Sequence, residues 1–361
     1  MKMPLKSSRV QEFNRIFVGV LFLTFELLNP LNLERASAQQ TPFYQGKTIT
    51  IVIGSSTGGG YDLWARVVAR YFGKYVPGNP TVLVQNMPGA ASIVAANYLY
   101  GVAKPDGLTL GGLLPALYFD QLVGRKEVRF DFAKFPWIGS PEQNEIIHYM
   151  RADSPYKSIE DIRKAKEPPR CGSSGTGTTG FYIPRLLDEV LGTKHTVVSG
   201  YPGGAEIDLA VQRGEVHCWS PLVATYFGRE PYISWQKTGY VKLVVQFGTK
   251  RDPRLPDVPT IYELMDQHKT PEAGKRLARV ILVAATLGRP IAVPPGTPPE
   301  RIKLLREAYA KTLKDPDLIA ETKRNRWDID FLSGEEMDKL AKEVMVQPKE
   351  VIERMKWVLG N

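Results

Sequence analysis

Three glycine-rich stretches hold the residues best able to bind a small anion: VIGSSTGGGYD (Val52 to Asp62), PRCGSSGTGTTGFY (Pro169 to Tyr182) and GYPGGAEIDLA (Gly200 to Ala210). Each lies between a short apolar run and an amphipathic stretch, which reads as strand, loop, helix. Glycine lets the backbone approach a ligand, and the following helix directs free N–H groups and a partial positive charge at it. A hydrogen bond to a charged oxygen contributes roughly 1.5–3 kcal/mol, so about four of them offset the desolvation of a carboxylate without any arginine. Taken singly, each loop is equally a tight turn; three on one chain point to a site. Tyr61, Tyr201 and Trp219 fall at strand–helix junctions, where they either touch ligand or pack, whereas Trp64 and Tyr226 read as core. Asp62 either caps the first helix or reaches a solute through water, and capping alone is the simpler role.

Other chemistries find no support. Gly175, Gly177 and Gly180 match G-x-G-x-x-G, but Pro168, Pro169 and Arg170 precede them and no acidic residue ends the next strand at Val198-Ser199-Gly200. A dinucleotide site is therefore not expected. Gly46-Lys47-Thr48 precedes its strand and lacks the upstream glycine of a phosphate loop. Ser174 misses the nucleophile-elbow pattern because Thr176 stands at the final glycine position. His148, His195, His217 and His268 are scattered without metal-ligand spacing. The expectation is a protein with no catalytic residues, no metal and no cofactor.

The elements that must position these loops belong to a chain of 361 residues, long enough for two α/β lobes. Lys2, Lys6, Arg9 and Arg15 precede an apolar run from Ile16 to Phe25, and Ala36-Ser37-Ala38 follows. That order reads as a secretory signal peptide over residues 1–38, with a membrane-anchoring helix as the alternative. The formal charge is +9, of which the first 38 residues carry +2, leaving +7 on the exported chain. No run of five like charges marks a nucleic-acid surface, so the excess fits anionic small molecules or a membrane surface better. Cys171 and Cys218 each end a candidate strand in an oxidising compartment; one disulfide and two buried thiols are both open.

Thr48 to Ile53, Thr81 to Gln85 and Thr109 to Leu114 read as strands, with helices at Tyr61 to Tyr75 and Ser92 to Tyr100. A second series starts near His148, with strands ending at Cys171 and Cys218, another at Thr196 to Val198, helices after Thr179 and Gly203, and a strand at Val241 to Phe247. Mostly parallel strands are expected. The C-terminal part reads as helical, with capping boxes at Thr297/Glu300 and Ser333/Glu336.

The order of several motifs resembles one family: GGGYD after the first strand, VLVQNMPGAAS (Val82 to Ser92), AKPDGLTL (Ala103 to Leu110), the loop after Cys171, VVQFGTKRDPRLPDVPTIYEL (Val244 to Leu264) and PPGTP (Pro294 to Pro298). This is similar to the tripartite tricarboxylate transporter substrate-binding family, the Bug receptors. The resemblance implies a periplasmic-binding-protein-like (type II) Venus flytrap, with lobe 1 at 43–148 plus 249–361 and lobe 2 at 149–248, hinged near Tyr149 and Gly248. It implies a periplasmic monomer that passes a tricarboxylate, dicarboxylate or aromatic acid to membrane transporter subunits, or presents it to a membrane sensor. Carried over, the ligand loops are Gly58, Gly59, Gly60, Tyr61 and Asp62, with Ser174, Gly175, Thr176, Gly177, Thr178 and Thr179. The turn Pro88, Gly89, Ala90 to Ser92 and the loop Tyr201, Gly203, Gly204, Ala205 line the cleft. Ser55, Ser56 and Thr57 replace the prolines usual before these glycines, and Tyr61 and Trp64 are bulky, which leaves the identity of the acid open. An exported enzyme on the same scaffold and a pure interaction protein are the rival readings.

Overall fold

The computed structural model describes residues 41–55, 57–143 and 145–360, so the expected signal peptide lies outside the described residues. Residues 44–361 form one compact unit. In chain order its elements are β1 (Thr48–Ile53), α1 (Gly60–Tyr75), β2 (Thr81–Asn86), α2 (Ile93–Gly101), β3 (Thr109–Gly112), α3 (Leu117–Leu122), β4 (Trp137–Ser140), β5 (Ile147–Arg151), α4 (Ile159–Lys164), β6 (Arg170–Ser173), α5 (Thr179–Leu191), β7 (Thr196–Ser199) and α6 (Gly204–Gln212). Next come β8 (Cys218–Trp219), α7 (Val223–Gly228), α8 (Tyr232–Thr238), β9 (Val241–Gln246), α9 (Ile261–Gln267), α10 (Glu272–Leu287), β10 (Ile291–Ala292), α11 (Pro299–Thr312), α12 (Pro316–Arg324), β11 (Leu332–Ser333), α13 (Gly334–Met345) and α14 (Lys349–Leu359).

Two sheets organise them, in the orders β11-β4-β10-β3-β1-β2 and β7-β6-β8-β5-β9. The expectation of mostly parallel strands holds only at the β1–β2, β1–β3, β6–β7 and β6–β8 pairs. The strands by which the chain passes between sheets pair antiparallel: β10 with β3 and β4, β5 with β8 and β9. A returning strand enters from the opposite end, which sets its direction. The chain leaves the first sheet at Ser140 and enters the second at Ile147, so residues 141–146 make this passage and Tyr149 sits fully buried inside β5.

The alternating burial of α1 places Trp64, Val67 and Val68 in the core. Its polar stripe is not left to solvent: Lys74 and Tyr75 meet Asp315 at 2.8 Å each, and Arg70 pairs with Glu321. Asp315 also accepts from the N–H groups of Asp317 and Leu318, capping α12. The Ser333/Glu336 capping box forms as expected. The one at Thr297 does not. Pro298 and Pro299 open that helix, and the Thr297 hydroxyl donates to the Pro294 carbonyl instead.

The C-terminal helix α14, assigned from sequence to the first lobe, packs against α5 of the second sheet. Its stripe Val351, Met355 and Val358 is buried, Arg354 pairs with Glu189 at 2.5 Å, and Arg185 donates to the Trp357 carbonyl. Cys171 and Cys218 face each other in register on β6 and β8 and form a disulfide. Their strands do not end at these residues: Cys171 is second in β6 and Cys218 opens β8. The closed loop spans a sequence separation of 47, for which chain entropy gives a stabilisation of roughly 4 kcal/mol. Among the described residues no helix is long and apolar enough to cross a membrane.

Candidate functional site

The first loop is ordered from below. Asp62, 1% exposed, accepts from the Gly58 N–H at 2.9 Å, from Asn86 at 2.9 Å and from Arg66 at 3.0 Å. Burial works against its charge, but the bonds from Arg66, Gly58 and Asn86 prevail and hold its carboxyl below the usual range. Its oxygens are thus occupied by the loop itself; the expected cap of α1 does not form, because Asp62 lies inside the first turn and accepts from Gly58, ahead of the N-cap. Asn86, at the end of β2, also donates to the Ser55 carbonyl and accepts from Thr57. Gly58 takes a φ of +82°, which glycine alone adopts readily.

Tyr61 leans on a second group of residues. Its hydroxyl donates to the Gly288 carbonyl at 3.3 Å, and the Arg289 guanidinium lies 4.9 Å from its ring centre. Burial pushes the Tyr61 hydroxyl up to about 12, with the Arg289 charge opposing, so it stays neutral. Arg289 is in turn paired with buried Glu142 at 2.5 Å. A side chain at Gly60 would meet Arg289 Nη1 at 2.6 Å, so this arginine lies directly behind the start of α1.

The turn from Pro88 carries visible strain. Gly89, Ala90, Ala91 and Ser92 all have positive φ, and three of these are not glycine. Ser92 is fully buried; its Oγ accepts from the Leu114 N–H and lies against Gly54, so it braces the turn from inside, not from the solvent side. Pro88, Ala90 and Ala91 are exposed.

In the second loop Ser174 is exposed, and Ser173 is the hydroxyl that orders the turn, accepting from Gly175 N–H at 3.1 Å. Thr178 stands at the N-cap of α5, yet its hydroxyl donates backward to the Gly175 carbonyl at 2.7 Å and caps nothing. Thr179 donates to the Ser220 carbonyl at 2.5 Å. Trp219 is a spacer: a side chain at Gly180 would meet its Nε1 at 2.9 Å, and one at Gly204 its ring at 2.6 Å. Its indole therefore fixes the starts of α5 and α6 relative to each other, stacked at 6.4 Å on Tyr232. In the third loop Tyr201 donates its N–H to the Ser173 carbonyl, Gly203 is the N-cap of α6, and Ala205 is exposed.

The loops of the two sheets meet. A Cβ at Gly177 would stand 3.1 Å from that of Ala91, Arg125 donates to Thr176 Oγ1 at 3.3 Å, and Phe119 meets Tyr182 edge-on at 5.4 Å. The helices that start at this junction, α1 at Gly59, α5 at Thr178 and α6 at Gly203, have no side-chain cap, as is also true of α2, α3, α7, α8, α10, α11 and α14, whereas Ser158, Thr260, Asp315 and Ser333 cap theirs. Arg66, Arg125 and Arg289 are each paired with an acid, Asp62, Asp120 and Glu142. Positive potential here comes from helix ends. Asn86, Arg125, Glu142, Tyr182 and Arg289 were not singled out from sequence; Arg289 and Glu142 lie 147 residues apart, and no local pattern joins them.

Burial pushes Asp120 up to about 6, with Arg125 opposing. A carboxyl raised in the folded chain contributes stability at pH below its unfolded value, and that contribution is lost as pH rises through about 6. Urea unfolding between pH 4 and 7.5 is expected to show the parent losing stability relative to Asp120→Asn as pH rises through about 6, while His148 and His217, whose pKa values burial lowers, work in the opposite direction in both proteins. Asp120→Asn removes its share, of order 3 kcal/mol at most. Asp208, raised to about 6 for the same reason, and Glu142 and Glu145, also raised by burial, act in the same direction in both proteins.

The family model described as "Tripartite tricarboxylate transporter family receptor" matches residues 65–357. A Cupriavidus necator protein named "UPF0065 protein in gbd 5'region" is 27% identical over 333 residues, covering 89% of this chain and 90% of that relative. An Agrobacterium vitis protein, the "UPF0065 protein in the TAR-I ttuE-ttuC' intergenic region", is 28% identical, covering 88% and 84%. Among solved structures, a TctC solute binding protein from Polaromonas superposes with a TM-score of 0.63 at 22% identity, covering 88% of this chain and 98% of that one. MatC from Rhodopseudomonas palustris, with bound malate, gives 0.62 at 20% identity, covering 87% and 99%. These structures share the two-sheet α/β architecture described above. The chain belongs to the tripartite tricarboxylate transporter receptor family.

Proposed function

We propose that the chain is a periplasmic receptor that captures a small carboxylate where the loops of its two sheets meet, and delivers it to a tripartite tricarboxylate-type membrane transporter. The observation that carries this reading is the set of three uncapped helix N-termini at Gly59, Thr178 and Gly203, beside cations already neutralised by acids. A helix leaves its first N–H groups without intrahelical partners, and a carboxylate supplies both the acceptor and the charge they favour. In this reading Gly58 to Tyr61 and Ser174 to Thr179 grip the acid from opposite sides. Pro88 to Ala91 and Tyr201 to Ala205 close the rim, while Asp62, Ser92 and Trp219 hold the loops in place. The lobes are built on the two sheets, residues 43–148 with 249–361 and residues 149–248, with α14 laid across onto the second. The segment 1–38 directs export and is removed. The relative with bound malate and a second R. palustris protein, with adipate, support an aliphatic diacid as the first class to try.

The test is a thermal-shift screen of the chain lacking residues 1–38, unfolded and refolded to strip carried-over ligand, against aliphatic and aromatic mono-, di- and tricarboxylates. An acid at 100 times its Kd adds about 2.7 kcal/mol, a shift of several degrees. Stabilisation by no carboxylate at millimolar concentration would refute this reading.

A further inference from the structure

On the second sheet, below its loops, His148, Cys171 and Cys218 lie together, and His195 packs against His148. His148 on β5 is fully buried; its Nδ1 is 2.8 Å from Ser220 Oγ and its Nε2 has no hydrogen-bond partner. Its nitrogen and the sulfur atoms of Cys171 and Cys218 all lie within 4.8 Å of one another. His195 stands edge-on to His148, with ring centres 5.4 Å apart. It is built alike: Nδ1 lies 2.6 Å from Asp188 and Nε2 is buried without a partner.

A disulfide in a sheet needs neither histidine, and buried polar nitrogens without partners are uncommon. An imidazole whose Nδ1 is held by a hydroxyl or carboxylate, leaving Nε2 bare, is how proteins present histidine to a metal. Two cysteines and two histidines are the donor set of a tetrahedral Zn²⁺ site, in which sulfurs bound at about 2.3 Å stand about 3.8 Å apart. Adjacent strands with facing cysteines suit that separation. On the side of His195, a cavity of about 230 Å³ is lined by Arg185, Asp188, His195, Val197 and Trp357.

We infer that the Cys171–Cys218 pair is a redox-gated metal site, which on reduction binds one Zn²⁺ through both thiolates and the Nε2 atoms of His148 and His195. The reductant is a dithiol: it passes two electrons and two protons to the disulfide, leaving two cysteine thiols and becoming an internal disulfide itself. Zn²⁺ then displaces the two thiol protons to solvent. Oxidation by a disulfide donor reverses the exchange and expels the ion.

The test uses the chain lacking residues 1–38, reduced under anaerobic conditions, freed of reductant and titrated with Co²⁺ and then Zn²⁺. The expected result is one Co²⁺ per chain with a thiolate-to-metal charge-transfer band and tetrahedral d–d bands, displaced by Zn²⁺ and absent from the oxidised chain. His148→Gln is expected to weaken Zn²⁺ at least about tenfold in competition with a chromophoric chelator. X-ray absorption on the unsubstituted Zn²⁺ form should count two sulfur and two imidazole donors, a reading that does not depend on how the variant folds. Absence of the bands, loss of native near-ultraviolet circular dichroism on reduction, or a first shell without imidazole would each overturn the inference. The carboxylate screen is run on the oxidised chain, so either result stands without the other.

Discussion

Gly288→Ala is expected to destabilise the protein by roughly 3–5 kcal/mol and to yield mostly insoluble chain. Gly288 ends α10 with φ +63° and ψ −112°, a region closed to side chains with a Cβ. A Cβ there would also fall inside the contact shell of the Glu142 carbonyl oxygen and 2.8 Å from Ser140 Oγ. Neither neighbour can yield. Ser140 Oγ donates to that same Glu142 carbonyl and accepts from the Arg289 N–H, both at 2.8 Å, while the Gly288 carbonyl receives the Tyr61 hydroxyl. One methyl group would thus strain the passage between sheets, the Glu142–Arg289 pair and the support of the first loop together. The measurement is the urea midpoint beside Gly101→Ala. At Gly101 no φ is positive and nothing lies within 4 Å, so the added methyl should be neutral or stabilise by up to about 1 kcal/mol. Similar midpoints for the two variants would show that this corner is not rigid.

The contrast between these two glycines explains what the sequence could and could not convey. β1 was readable because Thr48 to Ile53 is a β-branched run, and α1 because Trp64, Val67 and Val68 recur at helical spacing. The loops after them were readable from glycine clusters. Everything joined through topology was not. Cys171 and Cys218 stayed undecided between disulfide and thiols because only the adjacency of β6 and β8 brings them together. β10 and β11, two residues each, have no periodicity to detect. The stripe Val351, Met355, Val358 announces an amphipathic helix but not the surface it covers, and α5 together with α10 proved to be that surface. In the Pro88 turn, Ala90 and Ala91 adopt φ of 44° and 50°, and alanine carries no propensity that signals it. The candidate site divides the same way: its glycine loops were visible, while the residues bracing them, Arg289, Glu142 and Asn86, were chosen by contacts distant in sequence.

Gly177→Leu is expected to leave folding nearly intact and to lower carboxylate affinity about 100-fold, or about 2.7 kcal/mol. Gly177 differs from Gly288 on each physical count. Its φ is not in the left-handed region, and the one atom its Cβ would approach is the Ala91 Cβ, 3.1 Å away across the junction of the two sheets. A methyl needs only a small adjustment there, but a leucine pushes three further carbons against the exposed turn at Pro88 to Ala91. The protein can relieve this by letting the loops separate, which places the penalty on the closed arrangement rather than on either sheet. A ligand gripped by the first and second loops together must then supply the energy to close them, and its apparent affinity falls by the lost population of the closed form. Isothermal titration of the best acid from the screen reads the affinity, urea unfolding confirms stability within about 1 kcal/mol of the parent, and scattering should show a larger radius for the ligand-free variant. Gly177→Ala, which adds only the methyl, should fall between the two. An unchanged affinity in the leucine variant would mean that the acid is held by one sheet's loops alone, and that the approach of Ala91 to Gly177 plays no part in capture.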